Sequence, residues 1–99
     1  MFKDSKGRTW SPRITALTVV DFEADTGDSL FDQERLTGGR FLILLWHSVK
    51  SHAVKENVTR TDFLESILGE HMSKAQESLE KAIANFTRNL PDAGAVEEK

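Results

Sequence analysis

Six apolar residues in succession, Phe41-Leu42-Ile43-Leu44-Leu45-Trp46, constrain this chain more than any other stretch. They form its densest apolar segment, and the remaining residues must cover them. The run is far too short to cross a bilayer, which takes about 20 apolar residues. His47 and Lys50 also follow at once. Six apolar residues suit a buried strand or a buried helix equally. The continuation decides between them, because Leu42, Leu45, Trp46, Val49 and Ala53 keep a helical spacing that a strand would not sustain. The spacing predicts a central helix over 40–54, buried nearly all round in its first half and amphipathic after His47.

The flanking segments read as covers for that helix. Residues 2–14 predict a β-hairpin, with Asp4-Ser5-Lys6-Gly7 as the turn and Arg8-Thr9-Trp10 returning. Pro12 cannot donate to a ladder, so it marks an edge or a strand end. From Ile14 the period changes. Ile14, Leu17, Val20 or Asp21, and Ala24 fall at helical spacing with Val19 and Phe22 alongside, and Thr15 as a candidate N-cap and Gly27 as a candidate left-handed C-cap predict a helix over 14–26. Its β-branched residues leave a strand over 14–20 as the alternative. Residues 28–39 read as a linker anchored by Leu30, Phe31 and Leu36, with Gly38-Gly39 as a helix break. Thr59 or Thr61 would cap a short helix over 61–68 that Gly69 ends. A last helix is predicted over 72–90, where Met72, Leu79 and Phe86 repeat every seven residues and Pro91 closes it. Residues 92–99 are expected to be a flexible acidic tail, leaving residues 1–91 as a single small domain. The predicted fold class is α+β and mostly α: a hairpin followed by about four helices around the central apolar one.

Ninety-nine residues support only a modest core, so a protein partner or a homo-oligomer suits the chain. The formal net charge of −3 argues against a non-specific nucleic-acid binder, which needs a basic face. The charge is uneven. Lys3, Lys6, Arg8 and Arg13 cluster at one end, and Asp21, Glu23, Asp25, Asp28, Asp32 and Glu34 follow with no base among them. The two groups could attract each other, and the simpler expectation is two solvated faces. The absence of cysteine excludes disulfides and thiolate chemistry and fits a cytoplasmic protein. No signal peptide is expected at Met1-Phe2-Lys3-Asp4.

No catalytic or cofactor signature emerges. Asp21-x-Glu23-x-Asp25 begins like a calcium loop, but its glycine falls one residue late and its twelfth position is Asp32 rather than Glu. His47 and His52 stand five apart, about 140° round a helix, so they would not converge on one ion and are expected on the helix surface. Ser48 and Ser51 lack a placed acid for a triad. Gly38-Gly39-Arg40 could present an anion site at a helix start, with a loop break the simpler reading. The 61–68 and 73–90 segments could be read as helix-turn-helix, but Glu77 and Glu80 on the second would repel phosphate.

The order of elements resembles a family of small proteins from the tail modules of tailed phages and prophages, described as tail assembly chaperones. Asp4, Gly7, Arg8 and Trp10 make its D-x-x-G-R-x-W hairpin, and Ile14-Thr15 opens an apolar helix. Thr26-Gly27-Asp28-Ser29-Leu30 is similar to its T-G-x-D-L turn, and Leu45-Trp46 ends the next apolar helix. Asp62-Phe63-Leu64, Leu68-Gly69 and an amphipathic helix with Ala75, Ala82 and Phe86 complete a likeness over about residues 3–90. Gly38-Gly39-Arg40 departs from the family's Asp- and Pro-rich spacing, and the last helix has fewer alanines. The resemblance implies a non-enzymatic virion-assembly factor of the host cytoplasm, without cofactor, metal, nucleic acid or membrane. Its partner would be an apolar helical protein such as the tape-measure protein. Trp10, Met72, Leu79, Ile83 and Phe86 are the candidate partner-binding residues. A structural or adaptor protein kept in the particle is the alternative, and a small DNA-binding regulator the second.

Overall fold

The computed structural model describes residues 1–27, 29–30 and 38–88. Among them are two strands, β1 (Phe2–Lys3) and β2 (Thr9–Trp10), and four helices, α1 (Ala16–Thr26), α2 (Gly38–Lys55), α3 (Arg60–Glu65) and α4 (Gly69–Arg88). The fold is α+β and mostly α, with the hairpin at its N-terminal end, as expected.

The strands pair antiparallel, Phe2 opposite Trp10 and Lys3 opposite Thr9. Gly7 donates its N–H to the Asp4 carbonyl at 3.1 Å and takes φ +79°, a left-handed conformation that favours glycine. Two-residue strands are too short to stand alone. This ribbon is held because its facing pair, Phe2 and Trp10, is buried in the common core. The ladder ends at Trp10 rather than running to residue 14. Beyond Pro12, the Arg13 N–H donates to the Ser48 carbonyl of α2 at 3.0 Å, so the backbone is already tied to a helix.

Helix α1 forms despite its β-branched residues because both ends are capped. Thr15 accepts from the Thr18 N–H while its own N–H donates to Thr18 Oγ1, and Gly27 closes the helix at φ +78°. Its orientation differs from expectation. Thr18 and Phe22 face the core, whereas Leu17 and Val20 point outward. The apolar period was compatible with either face, and the face taken inward buries Phe22 in the common core.

Helix α2 is the central element, with Phe41, Leu44, Leu45, Trp46, Val49 and Ala53 buried. Gly38 and Gly39, expected to break a helix, begin this one. The first N–H groups of a helix lack internal partners, so glycine is tolerated there better than in the interior. Acidic α1 residues meet α2 in reversed order, Asp25 at His47 and Asp21 at Lys50, so the two helices run antiparallel.

Thr59 caps α3 by accepting the Asp62 N–H at 3.1 Å, and Phe63 becomes fully buried between Trp10 and Trp46. Ring centroids lie 5.1 Å and 5.8 Å apart, the first pair edge to face at 88°. α3 ends at Ser66, before the predicted stop, and Gly69 opens α4 instead. The reason is a local cap. The Leu68 N–H donates to His71 Nδ1 at 3.0 Å, and the His71 N–H donates to the Leu68 carbonyl at 2.8 Å. Helix α4 lies on the hairpin and α2, burying Ala75, Ser78 and Leu79. Phe31, Leu36, Leu90 and the 92–99 tail lie outside the described residues.

Candidate functional site

Two polar constellations stand out, and they differ in completeness. The first is the turn acid Asp4, which is buried. Its Oδ1 accepts the backbone N–H of Lys6 and Arg8 at 2.9 and 3.0 Å. Its Oδ2 accepts Arg8 Nε at 2.8 Å and Trp10 Nε1 at 2.9 Å. Ser66 Oγ lies 3.1 Å from the same oxygen and 2.6 Å from the Phe63 carbonyl, so its one proton serves either acceptor in turn. The Ser5 N–H donates to the Ser66 carbonyl at 2.9 Å, closing the link from hairpin to α3. Burial alone would push the Asp4 carboxyl up. The donors from Trp10, Arg8 and Lys6 outweigh it and lower the pKa to about 2. The D-x-x-G-R-x-W spacing is thereby explained: acid, left-handed glycine, arginine and indole build one knot. Both carboxylate oxygens are engaged, while the buried Arg8 Nη2 has no hydrogen-bond partner.

The second lies along the α1–α2 seam. Asp25 Oδ2 meets His47 Nε2 at 3.0 Å and Arg60 of α3 at 2.9 Å. The hydrogen bond from His47 holds the Asp25 carboxyl below its ordinary pKa, against partial burial, with help from the Arg60 charge. An ionised carboxylate can only accept, so His47 Nε2 carries the hydrogen. The His47 side chain is 6% exposed, not on the helix surface as expected, and its buried Nδ1 has no hydrogen-bond partner. Lys50 reaches Asp21 at 3.4 Å, and Glu23 accepts the Leu30 N–H at 3.1 Å. The acids of α1 are therefore individually engaged by α2, α3 and the chain beyond Gly27, rather than forming a solvated face.

Two adjoining cavities open on this seam, of about 290 and 360 Å³. They share Thr15, Thr18, His47, Ser51 and Lys55. The smaller adds Arg13 and His52; the larger adds Leu17, Asp21, Lys50 and Val54. No serine triad is assembled here, since Ser48 Oγ donates to the Leu45 carbonyl at 2.6 Å. Among the described residues no group of three or more His, Asp or Glu side chains is placed to hold a metal ion. No described helix is long and apolar enough to cross a membrane.

The five predicted partner-binding residues divide. Trp10 and Leu79 are each 1% exposed and lie in the core, so their side chains have no area left for a partner. Met72, Ile83 and Phe86 are half-buried against that core. A heptad spacing shows that α4 has an apolar stripe, but not what the stripe meets; here it is the hairpin and α2. The outward apolar residues are Leu17, Val20 and Val54, exposed by 63%, 61% and 64%, together with Leu68 on the α3–α4 turn. Leu17 and Val20 stand in the helical apolar pattern of α1, so nothing in their spacing distinguished them from core. On the polar face of α4, Lys81 pairs with Glu77 at 3.7 Å and Gln76 with Glu80 at 3.2 Å. No protein-family model, no curated protein and no solved structure matches the chain.

Proposed function

We propose that this protein is a non-enzymatic assembly factor that binds an apolar helical segment of another protein, in the manner its likeness to tail assembly chaperones implies. The observation that carries the reading is the exposure of Leu17, Val20 and Val54 on adjacent helices of the seam. Leu17 and Val54 line one cavity, so they form the walls of a groove rather than isolated surface residues. A partner helix would lay its apolar stripe there, at modest affinity per contact, and a long partner would be held by many copies. Asp4 and the buried aromatics would keep the groove's frame rigid, which lowers the entropic cost of docking.

Co-expression with a tape-measure protein from a tail module, followed by pull-down, tests this. The wild-type chain should retain the partner. Leu17→Asp with Val54→Asp should abolish retention while leaving the melting temperature within a few degrees, because both side chains are exposed. Equal retention by the double variant would overturn the surface. Recovery of the protein from purified particles would turn the reading to a structural component, and salt-sensitive retention on DNA to a regulator.

A further inference from the structure

We infer that the smaller cavity, beside the start of α1, binds a phosphate group, carried by inorganic phosphate or a small phosphate monoester. This goes beyond partner binding and does not use Leu17 or Val54. The cavity measures about 290 Å³ and is lined by Arg13, Lys55, His47 and His52, with serine and threonine hydroxyls between them and no carboxylate. Three cations packed elsewhere are matched: Arg8 with Asp4, Lys50 with Asp21, Arg60 with Asp25. Arg13 and Lys55 face this cavity with no ion pair or side-chain hydrogen bond to any described residue. His52 and Lys55 also suit the negative C-terminal end of α2, which accounts for their place on that helix. That reason does not extend to Arg13, which comes from the segment before α1 and is pinned beside the cavity by its N–H bond to Ser48.

Two further features favour an oxyanion. The first turn of α1 borders the cavity through Thr15 and Thr18, so the positive end of that helix lies beside it. His47, buried in the wall of the same cavity, keeps Nδ1 without a partner although Nε2 is bonded to Asp25. A phosphate monoanion brings both kinds of group needed: charged oxygens for Arg13 and Lys55, and a P–OH for an imidazole lone pair. The volume sits at the lower end of small-molecule sites, room for a phosphate and a few carbons.

The test is a two-dimensional amide NMR titration of the full chain with inorganic phosphate and, separately, glycerol 3-phosphate, with sodium chloride matching ionic strength. Saturable shifts should centre on Arg13, Thr15, Ser51 and Lys55, and sodium chloride should not reproduce them. Arg13→Gln with Lys55→Gln should weaken binding roughly tenfold or more while leaving the rest of the spectrum unchanged. Tighter binding of either probe supports the site and identifies the source of the phosphate. Shifts that never saturate, that persist in the double variant, or that acetate or duplex DNA reproduces equally would overturn it.

Discussion

The Asp4 knot and the α1–α2 seam are made from the same kinds of side chain: a carboxylate, basic groups, hydroxyls and an aromatic ring. They differ in how completely those groups are paired. At Asp4 both carboxylate oxygens are occupied, and the donors come from the turn, from β2 and from α3. Along the seam, Asp25 and Asp21 are paired, yet Arg13, Lys55 and His47 Nδ1 stay without partners among the described residues. A satisfied buried network holds a fold in one arrangement, whereas unpaired groups beside a cavity are free to act on something else. Arg8 Nη2 is the exception within the knot, buried without a hydrogen-bond partner, so the contrast rests on a fully engaged carboxylate there against unpaired cations beside the proposed binding surface.

Substitutions can break or sharpen that contrast. The reference is pure packing. Trp46→Ala, which removes a buried ring set against Phe63, should cost about 3–5 kcal/mol in urea unfolding. Asp4→Ala should come close, at about 3 kcal/mol, because it strands the Trp10 and Arg8 donors; a loss under 1 kcal/mol would mean the knot is ornamental. Acid should reproduce part of that loss. The Asp4 pKa is about 2 in the fold against an ordinary 3.8, so its ionised form is favoured by folding. That contribution is fully present above about pH 4 and is lost as pH falls towards 2, amounting to roughly 2 kcal/mol. In acid titrations of stability, Asp4→Asn should lack this component. Smallest of all, Arg13→Gln with Lys55→Gln should change stability by less than about 0.5 kcal/mol in thermal melts without phosphate, since neither side chain has a partner to lose. A larger loss would show that these cations belong to the frame.

The sequence by itself determined what is local. Caps at Thr15, Gly27 and Thr59 use groups within four residues of those they satisfy, a hydroxyl at each threonine and the backbone N–H at the glycine, so they can be placed from the chain alone. The helical nature of 41–53 followed from spacing, and the turn at Asp4 and Gly7 from residue type. Tertiary structure alone decided which faces went inward. Leu17 and Val20 share the apolar period of α1 but lost the inner position to Thr18 and Phe22, because a period specifies a stripe and not its partner. Leu79 was read as interface and became core for the same reason. His47 could not be recognised as buried until Asp25, 22 residues away, offered it a hydrogen-bond acceptor. Asp4 could not be tied to Ser66 across 62 residues by any spacing rule. The frame was legible in its parts and the working surface was not, because a surface is what remains after every long-range contact has been made.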